Sequence, residues 1–145
     1  MLVVLRSWGT GVVVLAAGVV LAVITWAGGS PGGAVTQLVL FAALAAAFSP
    51  LAFPRSISAA GAAKAGKPII YWRPGCQYCL RMRFVLLGAA RRASWVNIWT
   101  DPEAAAAVRA VADGNETVPT VVLDGESRVN PGPGWVRERL TGRSG

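Results

Sequence analysis

The feature that most constrains this chain is the uneven distribution of its charged side chains. The first 63 residues contain only two, Arg6 and Arg55, whereas the rest of the 145 residues hold the other twelve of the fourteen Lys and Arg and all seven Asp and Glu. An apolar half therefore precedes a polar half, which indicates two regions suited to different solvents. The polar half is long enough for one small domain with a modest core.

Two uncharged runs, residues 9–27 and 34–53, occupy the apolar half. Each is close to the roughly 20 residues that a helix needs to cross a bilayer. The Gly- and Pro-rich segment 28–33 predicts a turn between them. We therefore predict a transmembrane helical hairpin. A cleaved signal peptide followed by one helix, or two buried core helices, are the alternatives. The predicted regions are an anchor of residues 1–55, a flexible linker of 56–67 and a soluble domain of 68–145.

The basic residues beside the two runs predict an orientation. The connecting segment has no Lys or Arg, whereas Arg6 lies on one flank and Arg55, Lys64 and Lys67 lie on the other. Because cytoplasmic flanks carry the excess of positive charge, both termini are expected in the cytoplasm. The prediction is a multi-pass protein of the cell membrane with its polar domain facing the cytoplasm. The opposite orientation would place that domain in an oxidising compartment.

The polar half alternates between strand-like and helix-like patterns. Short β-prone runs are separated by breakers such as Arg73-Pro74-Gly75, and apolar residues at helical spacing follow the first of these breakers. The pattern predicts a βαβαββα order and an α/β fold. The predicted strands are 68–72, 94–99, 119–123 and 127–129, and the predicted helices are 77–90, 102–112 and 134–140.

The chain has no histidine, which excludes catalytic triads and metal sites that depend on histidine. Two cysteines remain as the candidate reactive side chains. Cys76 and Cys79 are three residues apart at the predicted start of a helix, so both lie on one face. Unpaired N–H groups and the positive end of the helix dipole favour a thiolate there, and Arg73, Arg81 and Arg83 add positive charge. Cys76 is the predicted nucleophile, and the deeper Cys79 is the predicted resolving thiol.

Other interpretations of these features are weaker. Two cysteines without histidine cannot supply the four ligands of a zinc site unless two chains share the metal, so no metal is predicted. A structural disulfide would close so small a loop that it would add little stability. Nucleic-acid binding is not predicted from the net charge of +7, because the only cluster of basic residues is Arg81, Arg83, Arg91 and Arg92.

Several motifs in order resemble the glutaredoxin family of the thioredoxin-like superfamily. The segment 69–79, IIYWRPGCQYC, is similar to the strand, basic residue, proline and Cys-Pro-Tyr-Cys of glutaredoxins, with Gln77 in place of the usual proline. The segments 113–121 and 129–131 are similar to mycoredoxins, the actinobacterial glutaredoxins that use mycothiol. The likeness covers about residues 68–141. The order of elements and the Val118-Pro119 before the third strand are also those of thioredoxin-like folds, in which this proline is cis.

The resemblance implies a function and a set of site residues. It implies a membrane-anchored thiol-disulfide oxidoreductase that reduces mixed disulfides between proteins and a low-molecular-weight thiol, mycothiol in preference to glutathione. The thiol is a reducing co-substrate and no bound cofactor is expected. Oxidised protein thiols, some of them on membrane proteins, are the expected partners. A thioredoxin-like reductase and a non-enzymatic redox-responsive adaptor are the alternatives. The implied catalytic residues are Cys76 and Cys79, and the implied substrate-binding residues are Arg73, Gln77, Tyr78, Thr117, Val118 and Pro119.

Overall fold

The computed structural model describes residues 2–49 and 52–142, and the side chains from residue 8 onward within those ranges. The chain divides into two compact units, Met1–Ala52 and Phe53–Gly145. Three parts of the predictions lie outside the described residues. These are the side chain of Arg6, residues 50 and 51 of the second predicted span, and residues 143–145 of the predicted soluble domain.

The first unit is a pair of packed helices, α1 (Leu2–Ala27) and α2 (Pro31–Ala47). Proline suits the first turn of α2 because that turn leaves its N–H groups unpaired. Small residues allow the close approach of the helices. A Cβ added at Gly18 would lie 2.3 Å from the Cβ of Phe41. The Thr25 hydroxyl donates to Gln37 Oε1 at 2.9 Å and adds one polar link between the helices.

One of these helices is long and apolar enough to cross a membrane. Its segment Trp8–Ala27 has a mean hydropathy of 2.3, and only 17% of its apolar window is buried, unlike the core helix of a soluble protein. A signal sequence would have a similar composition and position. The second helix is apolar but has 17 residues, and it ends at Ala47, earlier than the predicted span of 34–53. At 1.5 Å per residue it covers about 25 Å, less than the roughly 30 Å of a hydrocarbon core.

The second unit is a mixed α/β structure with a four-stranded sheet. It contains the elements predicted for the polar half, with small differences at their ends, and one additional helix, α3. In chain order they are α3 (Ala59–Ala65), β1 (Ile69–Trp72), α4 (Gln77–Leu86), a 3₁₀ helix (Leu87–Arg92), β2 (Ser94–Asn97), α5 (Pro102–Val111), β3 (Thr120–Leu123), β4 (Glu126–Val129) and α6 (Pro133–Thr141).

The sheet has the order β2-β1-β3-β4. Strand β1 pairs with β2 in parallel and with β3 antiparallel, and β3 pairs antiparallel with β4. The parallel pair requires a crossover, which α4 and the 3₁₀ helix provide. Asp124 and Gly125 both have positive φ and form the tight turn between β3 and β4. The hairpin signal in the sequence is therefore confirmed.

The predicted helix 77–90 is shorter than expected. It ends at Leu86, and Leu87 has a φ of +47° that no continuing α-helix adopts. A 3₁₀ helix completes the crossover instead, and it buries Ala90, whose carbonyl oxygen accepts a 2.9 Å hydrogen bond from Trp95 Nε1. The hydrogen bond between Trp95 and Ala90 thus overrides the helical pattern of residues 87–90.

Residues 56–65 do not form the flexible tether that their small side chains predicted. Ser58 caps α3 by accepting a hydrogen bond from the Gly61 N–H, and Ala62 of α3 is buried. Before this helix, the Ile57 N–H donates to the Trp95 carbonyl at 3.0 Å, and Ser56 Oγ accepts from the Asn97 N–H at 2.7 Å. The segment therefore covers the outer edge of β2, an edge that would otherwise present unpaired backbone groups.

The core of the second unit lies against the sheet. Trp72 and Trp95, from β1 and β2, are its largest buried side chains. Phe53 stacks on Trp72 with ring centroids 4.0 Å apart, although it comes sixteen residues before β1 begins. Phe53 is the last residue of the second predicted span, 34–53. In the structure Phe53 belongs to the core of the second unit.

Candidate active site

The strand register brings separate segments to one end of the sheet. Tyr71 of β1 pairs with Thr120 of β3, and Thr120 in turn pairs with Val129 of β4. Because β3 runs against its two neighbours, the chain leaves β1, enters β3 and leaves β4 at this same end. The CxxC motif, the Val118-Pro119 pair and Asn130 are therefore neighbours, although they are far apart in sequence.

Cys76 occupies the N-cap of α4. Its Sγ accepts a hydrogen bond from the backbone N–H of Cys79 at 3.2 Å, and as a thiol it donates to the Val118 carbonyl at 3.4 Å. A capping side chain satisfies one of the N–H groups that a helix start leaves unpaired. The preceding Gly75 has a φ of +76°, a turn conformation in which glycine carries no steric penalty. The loop thus places one sulfur at the N-terminus of α4, partly open to solvent.

These contacts lower the pKa of Cys76 from 9.0 to about 7. The largest cause is a hydrogen bond from the Cys79 thiol, and the N–H groups of Cys79 and Tyr78 and the positive charge of Arg73 act in the same direction. Partial burial opposes them. Loss of the proton also ends the donation to Val118, so that carbonyl favours the thiol while the N–H groups favour the thiolate. About half of the Cys76 side chains are therefore ionised near neutral pH.

Cys79 has the opposite environment. Its side chain is completely buried, and burial raises its pKa far above the usual range of a thiol, with the neighbouring Cys76 adding to the effect. The predicted deeper position of Cys79 is confirmed. Both cysteines are free thiols. The pair therefore combines one accessible, readily ionised sulfur with one protected sulfur that stays protonated.

The basic residues predicted to lie near Cys76 have different positions. Arg73 lowers the pKa of Cys76, and its guanidinium lies 5.7 Å from the ring centroid of Trp99. Arg83 instead donates from Nη1 to the Leu87 carbonyl at 3.2 Å, at the far end of α4. Trp99 is a site neighbour that the sequence pattern did not reveal. The feature that could have pointed to Trp99 is its position just after β2, because β2 ends at the same edge of the sheet as Cys76.

Tyr78 lines a small cavity beside the CxxC motif. This cavity has a volume of about 140 Å³, and Arg81, Pro119 and Asn130 also line it. The Tyr78 side chain is half exposed and Gln77 is exposed at the first turn of α4. The structure thus brings Tyr78 and Pro119 together, as predicted, and adds Arg81 and Asn130, which come from α4 and from the segment after β4.

The loop before β3 completes the site. The Val118–Pro119 peptide bond is cis, which confirms the prediction. The Pro119 carbonyl accepts a hydrogen bond from the Asn130 N–H at 2.7 Å, and the Thr117 carbonyl accepts one from the Thr120 hydroxyl at 2.7 Å. Thr117 itself is exposed, whereas Val118 and Pro119 are buried. The loop is held at both ends and lies across from Cys76.

Comparison with known proteins supports the resemblance to glutaredoxins. Residues 69–128 match the family model of glutaredoxin. No curated protein and no solved structure matches the chain. The glutaredoxin match begins at β1 and ends within β4, so it contains both cysteines and the cis-proline loop. It supports thiol-disulfide oxidoreductase activity in general.

The segment that matches the glutaredoxin model has folded extensions on both sides. The matched residues exclude Phe53, Ser56 and α3 on one side and α6 on the other. All of these pack within the second unit. Helix α6 contacts α4, and the Leu140 carbonyl near its end accepts a 3.0 Å hydrogen bond from Arg92 Nη1. The folded unit is therefore larger than the matched family domain.

Proposed function

We propose that this protein is a membrane-anchored enzyme that reduces mixed disulfides between proteins and a low-molecular-weight thiol. The observation that carries the proposal is the Cys76 sulfur at the N-cap of α4, with its pKa near 7 and the buried Cys79 beside it. A thiolate is the nucleophile in thiol-disulfide exchange, and a thiol with a pKa close to the ambient pH attacks most effectively. The glutaredoxin domain supplies the wider context.

The first step is attack of the Cys76 thiolate on the small-thiol sulfur of the mixed disulfide. A bond forms between Cys76 Sγ and that sulfur, the original disulfide bond breaks, and the protein substrate leaves as a thiolate that takes a proton from water. Cys79 and Tyr78 N–H groups stabilise the Cys76 anion before the attack. Cys76 then carries the small thiol as a mixed disulfide.

The second step regenerates the enzyme. A second molecule of the small thiol, as its thiolate, attacks the sulfur of the bound thiol and releases the oxidised dimer of the thiol together with the Cys76 thiolate. An NADPH-dependent reductase of that dimer closes the cycle. Cys79 offers a second route from this mixed disulfide: its thiolate attacks Cys76 Sγ, the bond from Cys76 to the small thiol breaks, and the small thiol leaves as its thiolate while the intramolecular disulfide forms. The high pKa of Cys79 keeps its sulfur protonated and therefore slows this route.

Mycothiol is the proposed small thiol, with glutathione as the alternative. The support for this choice is the likeness of segments 113–121 and 129–131 to mycoredoxins. Thr117, Val118 and Pro119 are proposed to hold the thiol through the backbone of the loop opposite Cys76. Arg73, Gln77 and Tyr78 are proposed to line its groove. The cavity beside Tyr78 adds Arg81 and Asn130 to these candidates.

The apolar hairpin is the proposed anchor, and the cytoplasmic face is the proposed location of the glutaredoxin domain. The support is the length and hydropathy of the segment Trp8–Ala27 and the lack of basic residues in the connecting turn. Anchoring would concentrate the enzyme near membrane proteins with oxidised cysteines, which are its proposed substrates. Attachment of a cysteine-reactive reagent to Cys76 from outside intact cells would contradict the orientation.

The decisive assay supplies the purified chain with a mixed disulfide of mycothiol, reduced mycothiol, its reductase and NADPH. We expect NADPH oxidation by the wild type and none above background for Cys76→Ser, because a serine hydroxyl stays protonated at this pH. Cys79→Ser is the matched control. It removes the other thiol of the motif and is expected to retain the route that uses only Cys76.

A parallel series with glutathione and glutathione reductase tests the choice of thiol. Faster turnover with glutathione would contradict the mycothiol proposal while leaving the reaction type intact. Turnover with thioredoxin reductase alone, and none with either small thiol, would identify a thioredoxin-like reductase instead. Absence of turnover in all three systems, with partner binding that responds to reductant, would identify an adaptor.

A further inference from the structure

The second unit carries a basic cavity that plays no part in the chemistry above. Its volume is about 310 Å³, and Arg55, Lys67 and Arg91 are among its lining residues. None of the lining residues is acidic, and none belongs to the CxxC motif, the cis-proline loop or the cavity beside Tyr78. Three positive charges around one concave site favour an anionic ligand.

The three cations are not engaged in ion pairs within the described part of the chain. The three ion pairs there use Arg109, Arg128 and Arg139. Arg55, Lys67 and Arg91 are all exposed. The neighbouring Arg92 differs, because its guanidinium donates to the Leu140 carbonyl and supports the fold. The cavity thus collects basic side chains that the fold itself does not use.

The rest of the cavity is largely apolar. Ile57, which is 40% exposed, lines it together with the buried Trp95. Backbone hydrogen bonding between these two residues fixes the wall, since the Ile57 N–H donates to the Trp95 carbonyl. A site with cationic groups and an adjoining apolar surface suits a ligand with a phosphate next to a glycerol and acyl group. A free inorganic anion would use only the cationic part.

The position of the cavity in the sequence favours a lipid as this ligand. Arg55 comes eight residues after α2 ends at Ala47, a distance of at most about 29 Å along an extended chain. Basic residues immediately after a membrane segment attract anionic lipids. If α1 and α2 lie in the bilayer, Arg55 is therefore close enough along the chain to reach the headgroups.

We propose that the cavity lined by Arg55, Lys67 and Arg91 binds the phosphate of an anionic phospholipid headgroup. Phosphatidylglycerol is a representative lipid of this class. Binding would hold the glutaredoxin domain at the membrane surface and add a second attachment to that of the hairpin. This inference rests on the proposed membrane anchoring for its biological setting, but the binding itself is measurable without a bilayer.

The test titrates soluble short-chain phospholipids into the isotopically labelled full chain in a non-ionic detergent. Amide chemical shifts of residues 54–67 and 91–95 are the readout. We expect saturable shifts with dihexanoyl phosphatidylglycerol and much weaker binding of dihexanoyl phosphatidylcholine. In Lys67→Gln/Arg91→Gln, the affinity should fall by roughly fivefold for each removed cation.

A matched control removes the same charge elsewhere. Lys64→Gln/Arg137→Gln changes one lysine and one arginine that are exposed and do not line the cavity. This variant is expected to bind phosphatidylglycerol as the wild type does. An equal loss of affinity for phosphatidylglycerol in both double variants would show that only net charge matters. That result would overturn the proposal. Equal binding of the two lipids, or binding of inorganic phosphate as tight as that of phosphatidylglycerol, would also overturn it.

The lipid-binding test can fail independently of the tests of the proposed function. Reduction of the mycothiol mixed disulfide by Lys67→Gln/Arg91→Gln is expected to match the wild type, because neither residue contacts the site of Cys76. A chain that binds the short-chain lipid but stays out of membranes would contradict the anchoring alone. A chain that is active and membrane-bound but indifferent to phosphatidylglycerol would contradict the headgroup site alone.

Discussion

The two units of this protein bury opposite kinds of side chain. Among the described side chains of the helical hairpin, the buried residues are small and include Ala22, Ala34 and Ala45, while many Val, Leu and Ile side chains are exposed. In the second unit the buried residues include Trp72, Trp95 and Met82. Water drives large apolar groups inward, whereas lipid does not, and helices in lipid pack through small residues. The hairpin thus has the kind of surface that the proposed membrane anchor requires, whereas the second unit has a core of large apolar side chains.

The two units also differ in their chemically reactive side chains. The second unit holds both cysteines and every cation with a role in the site, whereas Thr25 and Gln37 form the polar link between the two hairpin helices. Charged side chains within membrane segments usually mark transport or proton-transfer functions. Their absence from residues 8–47 is consistent with a hairpin that serves as an anchor. The following experiments would break or sharpen this comparison.

Removal of residues 1–52 should have the largest effect. We expect the remaining chain, washed at high salt to weaken binding to anionic headgroups, to move from the membrane fraction to the soluble fraction. It should keep its reductase activity, because the core, the site and the edge cover of β2 all lie after residue 52. Fractionation and the mixed-disulfide assay are the measurements. A truncated chain that stayed with membranes would show that the second unit binds them unaided.

Phe53→Ala should strongly destabilise the second unit. Phe53 is 8% exposed and stacks on Trp72, and loss of a buried Phe side chain typically costs about 3–5 kcal/mol. Phe84→Ala is the matched control, because Phe84 is 59% exposed and its loss should change the free energy of unfolding by less than about 0.5 kcal/mol. Urea unfolding of the two variants measures both. Similar effects would show that Phe53 belongs to the membrane anchor and not to this core.

Gly18→Ala should destabilise the hairpin and leave the second unit unchanged. The added Cβ would lie 2.3 Å from Phe41, and such overpacking typically costs about 1–3 kcal/mol. Gly9→Ala is the control, since a Cβ there meets nothing within 4 Å. Thermal unfolding in detergent, followed by helical circular dichroism, compares them. Equal unfolding temperatures would contradict close packing of α1 against α2 at Gly18.

The smallest expected effect concerns the ionisation of Cys76. Because its pKa is lowered to about 7, the thiolate fraction and the rate of alkylation should rise through neutral pH and level off about one to two units higher. Cys79→Ala should move this midpoint upward, since it removes the largest stabilising hydrogen bond. Arg73→Gln should move it upward by less, since it removes a weaker Coulombic effect.

Alkylation with iodoacetamide at a series of pH values measures the midpoint. Arg137→Gln serves as a charge control, because that exposed arginine is not among the groups that lower the pKa of Cys76. A wild-type midpoint near 9 would show that the helix start does not stabilise the thiolate. A shift in Arg137→Gln as large as that in Arg73→Gln would indicate a general effect of net charge.

Much of the fold and site was predictable because local signals agreed. The alternation of β-prone and amphipathic segments predicted the order βαβαββα, and the turn residues Asp124 and Gly125 predicted the hairpin. The spacing of Cys76 and Cys79 at a helix start predicted which sulfur is buried. These predictions depend on periodicity, caps and turns, which act over a few residues and are therefore readable in the sequence.

Other features were decided by contacts between distant segments. Residues 56–65 looked like a tether because they are small and weakly basic, yet they are ordered by hydrogen bonds to β2 and by burial of Ala62. Trp99 beside Arg73, and Asn130 against Pro119, depend on the strand register. No local pattern encodes such pairings.

The sequence by itself therefore determined that this chain has an apolar half and a redox-type polar half, with Cys76 and Cys79 at a helix start. Charge distribution and short-range spacing are sufficient for that. Only the tertiary structure decided where the second unit begins, how its edge strand is covered and which cations gather around a cavity. Those features depend on which surfaces meet after folding, and the energy of a buried contact is not a property of either segment alone.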